Sequence, residues 1–151
     1  MTNNILDLAT EFPELKDTIH SLKLSDAHFA KLYENYGELC KKIYTLVGEN
    51  RLSKDFALKD QILSSSGSVM DNIAEGFERD GRKEFLNFLH IAKGSLGETR
   101  SQIHRMSDAK YINPEKYQEL LNDCLNLSGK LSHFIKYLQT TPLTGTKNKI
   151  N

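Results

Sequence analysis

Net charge is the first thing this sequence lacks. Its 20 Lys and Arg are matched by 20 Asp and Glu over 151 residues. A balanced chain sets up no global field to draw it onto nucleic acid or an anionic membrane, so such binding needs a local patch or an assembly that concentrates one. Long apolar runs are missing too, and no segment approaches the roughly 20 residues that span a bilayer. A membrane is therefore not an expected partner. The opening MTNNILDLATEF carries acids among its apolar residues and no basic stretch, unlike a secretory signal. Cysteine is scarce. Cys40 and Cys124 both fall at apolar positions of helical repeats and are expected to be reduced core thiols, not a disulfide or metal pair. A cytoplasmic protein with one core is the expectation, and 38% apolar residues are enough to build it.

Strand signals are also absent, with few Val and no sustained period-two alternation. Helical periodicity fills the space. From Ser25 to Val47 the apolar positions are Phe29, Leu32, Tyr36, Leu39, Ile43 and Leu46. A third segment runs Phe85, Leu89, Ala92, Leu96, Thr99, Ile103 and Met106. A fourth runs Tyr117, Leu121, Cys124, Ser128, Leu131, Ile135 and Leu138, widened by Leu120, Leu127 and Phe134. Such three-four stepping keeps one seam toward partner helices, as in bundles. The second segment, Asp55 to Phe77, keeps Leu58, Ile62, Val69, Ile73 and Phe77 in phase across Ser64, Ser65, Ser66, Gly67 and Ser68. That run of small residues reads as close helix contact in preference to a break.

The fold class is therefore all-α, an antiparallel up-down four-helix bundle over residues 25–139. Ser25 and Asp26 can cap the first helix, Gly48 to Asn50 end it, and Gly76 ends the second. Asp80 is a plausible cap for the third helix, and Asn113-Pro114-Glu115 opens the fourth, where proline forfeits only an orphan donor. Short connections make successive helices antiparallel. Residues 1–24 read as an extra helical arm, broken or kinked at Pro13, and 140–151 as a disordered tail.

A bundle raises the question of a di-iron centre, which needs inward Glu-x-x-His pairs on two helices. None occurs, and His20, His28, His90, His104 and His133 show no ligand spacing. Cys-x-x-Cys, phosphate-loop, dinucleotide and nucleophile-elbow patterns are missing as well. Gly94-Ser95-Leu96-Gly97 lies mid-helix, where close packing accounts for it. The expectation is no metal, no cofactor and no catalytic residue.

Two features stand out. On the third helix Arg82, Lys83, His90, Lys93, Arg100 and His104 fall on one flank of the apolar stripe, and Glu84 and Glu98 on the other. This asymmetry fits a solvated face, a face for a polyanion or acidic partner, or flanks that pair between subunits. The second feature is NIAEGFERDGRKEF, residues 72–85. Asn72 and Glu75 beside Gly76 could satisfy backbone amides and pin a helix hairpin. Arg79, Arg82 and Lys83 would put three cations beside that turn, suited to a phosphate.

The run from Gln61 to Glu98 resembles the four-helix bundle proteins known as 23S rRNA intervening-sequence proteins. The matching elements are Gln61-Ile62, the Ser68 to Gly76 hairpin motif, Lys83 to Leu89, and Ala92 to Glu98; Tyr111-Ile112 matches the end of the family's Gly-Tyr-Ile. The resemblance spans about residues 27–138. Tyr33 stands where the family has an early Trp, and Gly48 to Lys54 replace its Phe-Pro-x-x-Glu. The resemblance implies a homo-oligomer, commonly a pentamer, with no established catalytic activity. A related branch serves retroelements as accessory proteins that bind a reverse transcriptase and nucleic acid, and those are basic where this chain is neutral. Two functions follow: an oligomeric scaffold associated with structured RNA or a ribonucleoprotein, or an accessory subunit of a reverse transcriptase or other enzyme. Candidate binding residues are Arg79, Arg82, Lys83, Lys93 and Arg100, with Asn72, Glu75, Gly76 and Glu98 as the structural hairpin motif.

Overall fold

The computed structural model of the protein describes residues 27–49, 51–79 and 81–140. The expected arm, the Ser25 and Asp26 cap, the Asp80 cap and the tail beyond Thr140 lie outside these residues. Among the described residues four helices make up the fold: α1 (Ala27–Val47), α2 (Phe56–Glu78), α3 (Arg82–Asp108) and α4 (Pro114–Thr140), with a 3-10 turn at Leu52–Lys54. No strand occurs among the described residues. Cross-helix contacts fix the bundle as antiparallel. Ser65 meets Thr99 while Gln61 meets Arg105, and Lys42 meets Asp123 while His28 stacks on Tyr137. Helix α3 lies between α2 and α4, and α4 between α3 and α1.

The periodic stripes read from the sequence form the core. All seven stripe positions of α3 and all six of α1 are buried. Phe29, Phe85 and Phe134 meet at one end, with ring centroids 5.9 and 6.0 Å apart across the α1–α4 and α3–α4 boundaries. The seam of α4 differs from expectation. Leu121 and Ser128 are only part-buried, whereas Leu120, Leu127 and Phe134 are nearly inaccessible. Its core line therefore runs through Leu120, Cys124, Leu127, Leu131, Phe134 and Leu138. Leu120, Leu127 and Phe134, the apolar width beside the expected seam, are consumed within the bundle, while Tyr117 and Leu121 stay part-buried and Leu125 is exposed.

Helix α2 is continuous through its serine run, as expected from the unbroken phase. Buried Ser66 turns its hydroxyl back onto the Ile62 carbonyl at 2.7 Å, and buried Ser65, whose Oγ lies 3.3 Å from the same carbonyl, gives its proton to Gln102 Oε1 on α3. Each is thus satisfied while remaining small. Gly76 does not end α2. The helix runs to Glu78, and the Arg79 amide closes it on the Glu75 carbonyl at 3.1 Å. Gly76 is required instead by close approach: an added Cβ would overlap the Cβ of Phe88 and meet Phe85 Cδ2 at 3.1 Å.

The turns are locally specified. Asp55 Oδ1 accepts the Leu58 amide at 3.1 Å and caps α2. Its Oδ2 accepts the Tyr111 hydroxyl at 3.0 Å, tying this turn to the α3–α4 turn. Asn113 caps α4 by accepting the Lys116 amide at 2.7 Å, with Pro114 in the first helical position. Helix α3 ends with the Tyr111 amide on the Met106 carbonyl (2.9 Å) and the Lys110 amide on the Ser107 carbonyl (3.0 Å). This pairing places Lys110 at a left-handed φ of 58°. The family pattern Gly-Tyr-Ile has glycine at this point, and a non-glycine residue there costs about 1–2 kcal/mol.

Three substitutions separate these roles. Gly76→Ala should lower stability by about 1–3 kcal/mol through overpacking. Gly67→Ala, whose new methyl meets nothing within 4 Å, should raise it by up to about 1 kcal/mol. Lys110→Gly should also stabilise, by about 1 kcal/mol. Urea unfolding monitored by circular dichroism measures all three, and a neutral Gly76→Ala would refute the close-approach account.

Candidate nucleic-acid interface on α3 and α4

At about 100° per residue, Arg82, Lys93 and Arg100 fall within roughly 20° of one another on α3 and span roughly 27 Å along it. His104 continues the line. This flank borders α4: Tyr117 Oη lies 2.7 Å from His104 Nδ1, and the Arg100 charge acts on the thiol of Cys124. That thiol is pushed up to about 12 by burial, reinforced by Asp123 and opposed by Arg100, so it stays protonated and unreactive.

No carboxylate of α4 faces this flank. Its acids are Glu115, Glu119 and Asp123, and helical spacing puts all three on the side away from α3. Glu119 and Asp123 are held there by Lys42 of α1, at 2.9 and 2.7 Å, and Lys116 reaches Glu119 at 2.8 Å. On α3 itself, Glu84 faces Arg79 at 3.4 Å, Glu98 is exposed on the side away from Lys93, and exposed Asp108 lies roughly one turn beyond His104 at the lower end of the line. The neighbours across the groove are Leu121, the half-exposed Leu125, Ser128 and Ser132. Neither Lys93 nor Arg100 forms an ion pair among the described residues. The zero net charge thus conceals a segregated surface, with a cationic line on one flank of α4 and carboxylates on the other.

The candidate residues divide accordingly. Arg82, Lys93 and Arg100 share the line, with Arg82 half-buried at its upper end. Lys83 is exposed but points roughly 100° away, and does not join them. Arg79 is committed elsewhere. Its guanidinium bonds Glu75 at 2.7 Å and Glu84 at 3.4 Å, and lies 5.3 Å from the Phe88 ring centroid. The Glu75 hydrogen bond and charge raise its pKa further. It therefore clamps α2 to α3 across their turn.

The hairpin reading also changes. Asn72 Nδ2 donates to the Ser68 carbonyl (2.7 Å) and hydroxyl (3.0 Å) on its own helix. Among the described residues Glu75 accepts from the Arg79 guanidinium at 2.7 Å. Glu98 stands roughly four turns along α3 from the hairpin. What joins the helices is a polar ladder. Arg105 Nη1 donates to Gln61 Oε1, and the Ser65 hydroxyl lies 2.9 Å from Thr99 Oγ1 and donates to Gln102 Oε1. Ser95 Oγ reaches Ser68 Oγ at 3.3 Å. The rungs Gln61, Ser65 and Ser68 step by four and three, and Asn72 and Gly76 continue the same line by fours, a stripe of polar and small residues visible in the sequence beside the apolar one. Lys42 carried no such signal, since its partners lie about eighty positions away.

A family model described as 23S rRNA-intervening sequence protein matches residues 30–133. The chain belongs to this family. A solved structure from Bacteroides thetaiotaomicron, a protein of unknown function from the S23 ribosomal protein family, is similar at 30% identity and a TM-score of 0.59. The alignment covers 71% of this chain and 96% of that one. No curated protein matches. The ladder gives the family's most distinctive run a packing explanation: its residues hold α2 against α3 and present the cationic flank of α3 outward.

The α1–α4 network has a pH signature. Glu119 is held at about 2, chiefly by the Lys116 hydrogen bond and then by Lys42. A carboxylate depressed in the folded state stabilises above its unfolded pKa, and that contribution fades as pH falls from about 4.5 to about 2. The group is 41% exposed, so solvent and salt keep the effect modest. Glu119→Gln should therefore lose less stability than wild type across that window, measured by urea unfolding at low salt. Parallel curves for the two proteins would show that the network contributes nothing.

Proposed function

We propose that the protein is a non-catalytic, oligomeric scaffold that associates with structured RNA through the α3–α4 flank. The observation that carries this reading is the line of Arg82, Lys93 and Arg100 facing a groove side without carboxylates. Family membership supports the same reading, because the family is named for a 23S rRNA intervening sequence. The line has the chemistry of a phosphate-backbone contact: three cations roughly 27 Å end to end, with serine hydroxyls opposite. A single line is weak on a neutral chain, and assembly would repeat it about an axis. The homo-oligomer, five-fold by resemblance, rests on the family alone, since the widened stripe of α4 is buried within one chain.

Lys93→Glu with Arg100→Glu should weaken binding to a structured RNA ten-fold or more and reduce the salt dependence of log K by roughly one to two. Helicity and assembly should be unchanged, as both residues lie off the core. Lys83→Glu should have a smaller effect. Filter binding across a salt series decides it. Equal binding by the double variant, or no salt-sensitive binding by wild type, would shift the reading to an accessory subunit of a partner enzyme such as a reverse transcriptase. Light scattering at micromolar concentration should give a multiple of the chain mass, and a stable monomer would remove the scaffold part of the proposal.

A further inference from the structure

Helix α4 carries a second stripe that the core does not use. Gln118, Leu121, Asn122 and Leu125 stand at the i, i+3, i+4, i+7 spacing of one helix face, and Ser128 and Ser132 continue it. This face borders the cationic line. Because α3 and α4 are antiparallel and Tyr117 meets His104, Arg100 stands level with Leu121 and Lys93 with Ser128. The face itself is uncharged. The charged residues of α4 between Gln118 and Ser132 are Glu119, Asp123 and Lys130, and helical spacing turns all three toward α1. In a chain with 26% charged residues, a solvated helix face is ordinarily charged, as α1 shows with exposed Lys31, Glu34 and Glu38. On α4 the outward positions hold amides, hydroxyls and two leucines, and Leu125 is 48% exposed.

The two amides are ordered by each other. Gln118 Nε2 donates to Asn122 Oδ1 at 3.0 Å. That bond turns Gln118 Oε1, an acceptor, and Asn122 Nδ2, a donor, side by side on the exposed surface. An acceptor beside a donor is the pattern that reads a nucleobase edge. Contact with phosphates alone has no use for an exposed leucine or for paired amides, whereas an unstacked base needs an apolar surface and an edge partner. A regular RNA duplex cannot supply such a base, because its deep, narrow major groove keeps side chains from the base edges. A partner helix would require a run of apolar anchors, and this face offers Leu121 and Leu125 among hydrogen-bonding side chains. We infer that the outer face of α4 is a nucleobase site, and that RNA on the α3–α4 flank is recognised at an unpaired loop. Its phosphates lie on Lys93 and Arg100, and an extruded base lies on Leu125 with its edge at Gln118 and Asn122. The inference rests on the RNA reading above and names the class of RNA.

Fluorescence anisotropy of the full-length protein should compare a hairpin RNA bearing an unpaired loop with a fully paired RNA of equal phosphate number, across a salt series. The hairpin should bind about ten-fold or more tightly than the duplex. Gln118→Ala with Asn122→Ala should remove most of that preference. Its duplex affinity, salt slope and circular dichroism should match wild type, because no charge is altered and both positions are exposed. Leu125→Ala should also weaken hairpin binding and leave duplex binding unchanged. Lys93→Glu with Arg100→Glu should weaken both RNAs together. Equal affinity for hairpin and duplex, or a hairpin preference retained by the amide variant, would overturn this inference and leave the RNA reading standing. Absence of salt-sensitive binding to either RNA would remove both, and would assign the flank to a protein partner.

Discussion

The close contact of α2 with α3 is the constraint on which the rest of the bundle depends. At Gly76 the two backbones approach so nearly that no β-carbon fits against Phe88. From there the helices are held by hydroxyl and amide contacts through Ser68, Ser65 and Gln61. A polar seam at close range is demanding, because each buried donor or acceptor left alone costs about 1–3 kcal/mol. Here the requirement is met, and no buried side-chain polar atom among the described residues lacks a partner. Such a seam fixes register more sharply than interchangeable leucines, since a shift by one turn would separate every rung. The apolar faces can then close on α4 and α1 in a single arrangement.

That rigidity bears on function through α3. The helix has α2 on one side and α4 on the other, so its cationic flank is fixed in line with the seam. The segregation of charge about α4 follows from the same geometry. Lys42 draws Glu119 and Asp123 to the α1 side, leaving the α3 side without acids. A chain of zero net charge can in this way carry a local field.

Much of this was legible in the sequence. Phe29 to Leu46 and Phe85 to Met106 were read correctly as core because burial depends on one quantity, the angular position around a helix. The serine run was legible for a similar reason: phase continues through it. What failed depended on lateral contacts. Gly76 carries the signal of a helix end, and only the position of Phe88 shows that it serves close packing. Arg79 resembled a free cation, although Glu75 four residues earlier was a partner within reach. Leu120, Leu127 and Phe134 looked like surplus width because the two-sided contact of α4 with α1 and α3 cannot be read from one stripe. The cationic flank is partly legible: helical spacing puts Lys93 and Arg100 in line with Arg82, whereas Lys83, adjacent to Arg82 in sequence, lies roughly 100° away on the helix.

Native-state hydrogen exchange tests the central role of the α2–α3 seam most directly, because it reports the stability of each helix within the intact fold. If the seam organises the bundle, the amides of Ile62 to Phe77 and Phe85 to Ile103 should exchange only through global unfolding, with α1 and α4 opening at equal or lower free energy. Exchange of α2 or α3 through local opening, while α1 and α4 remain protected to the global limit, would contradict it.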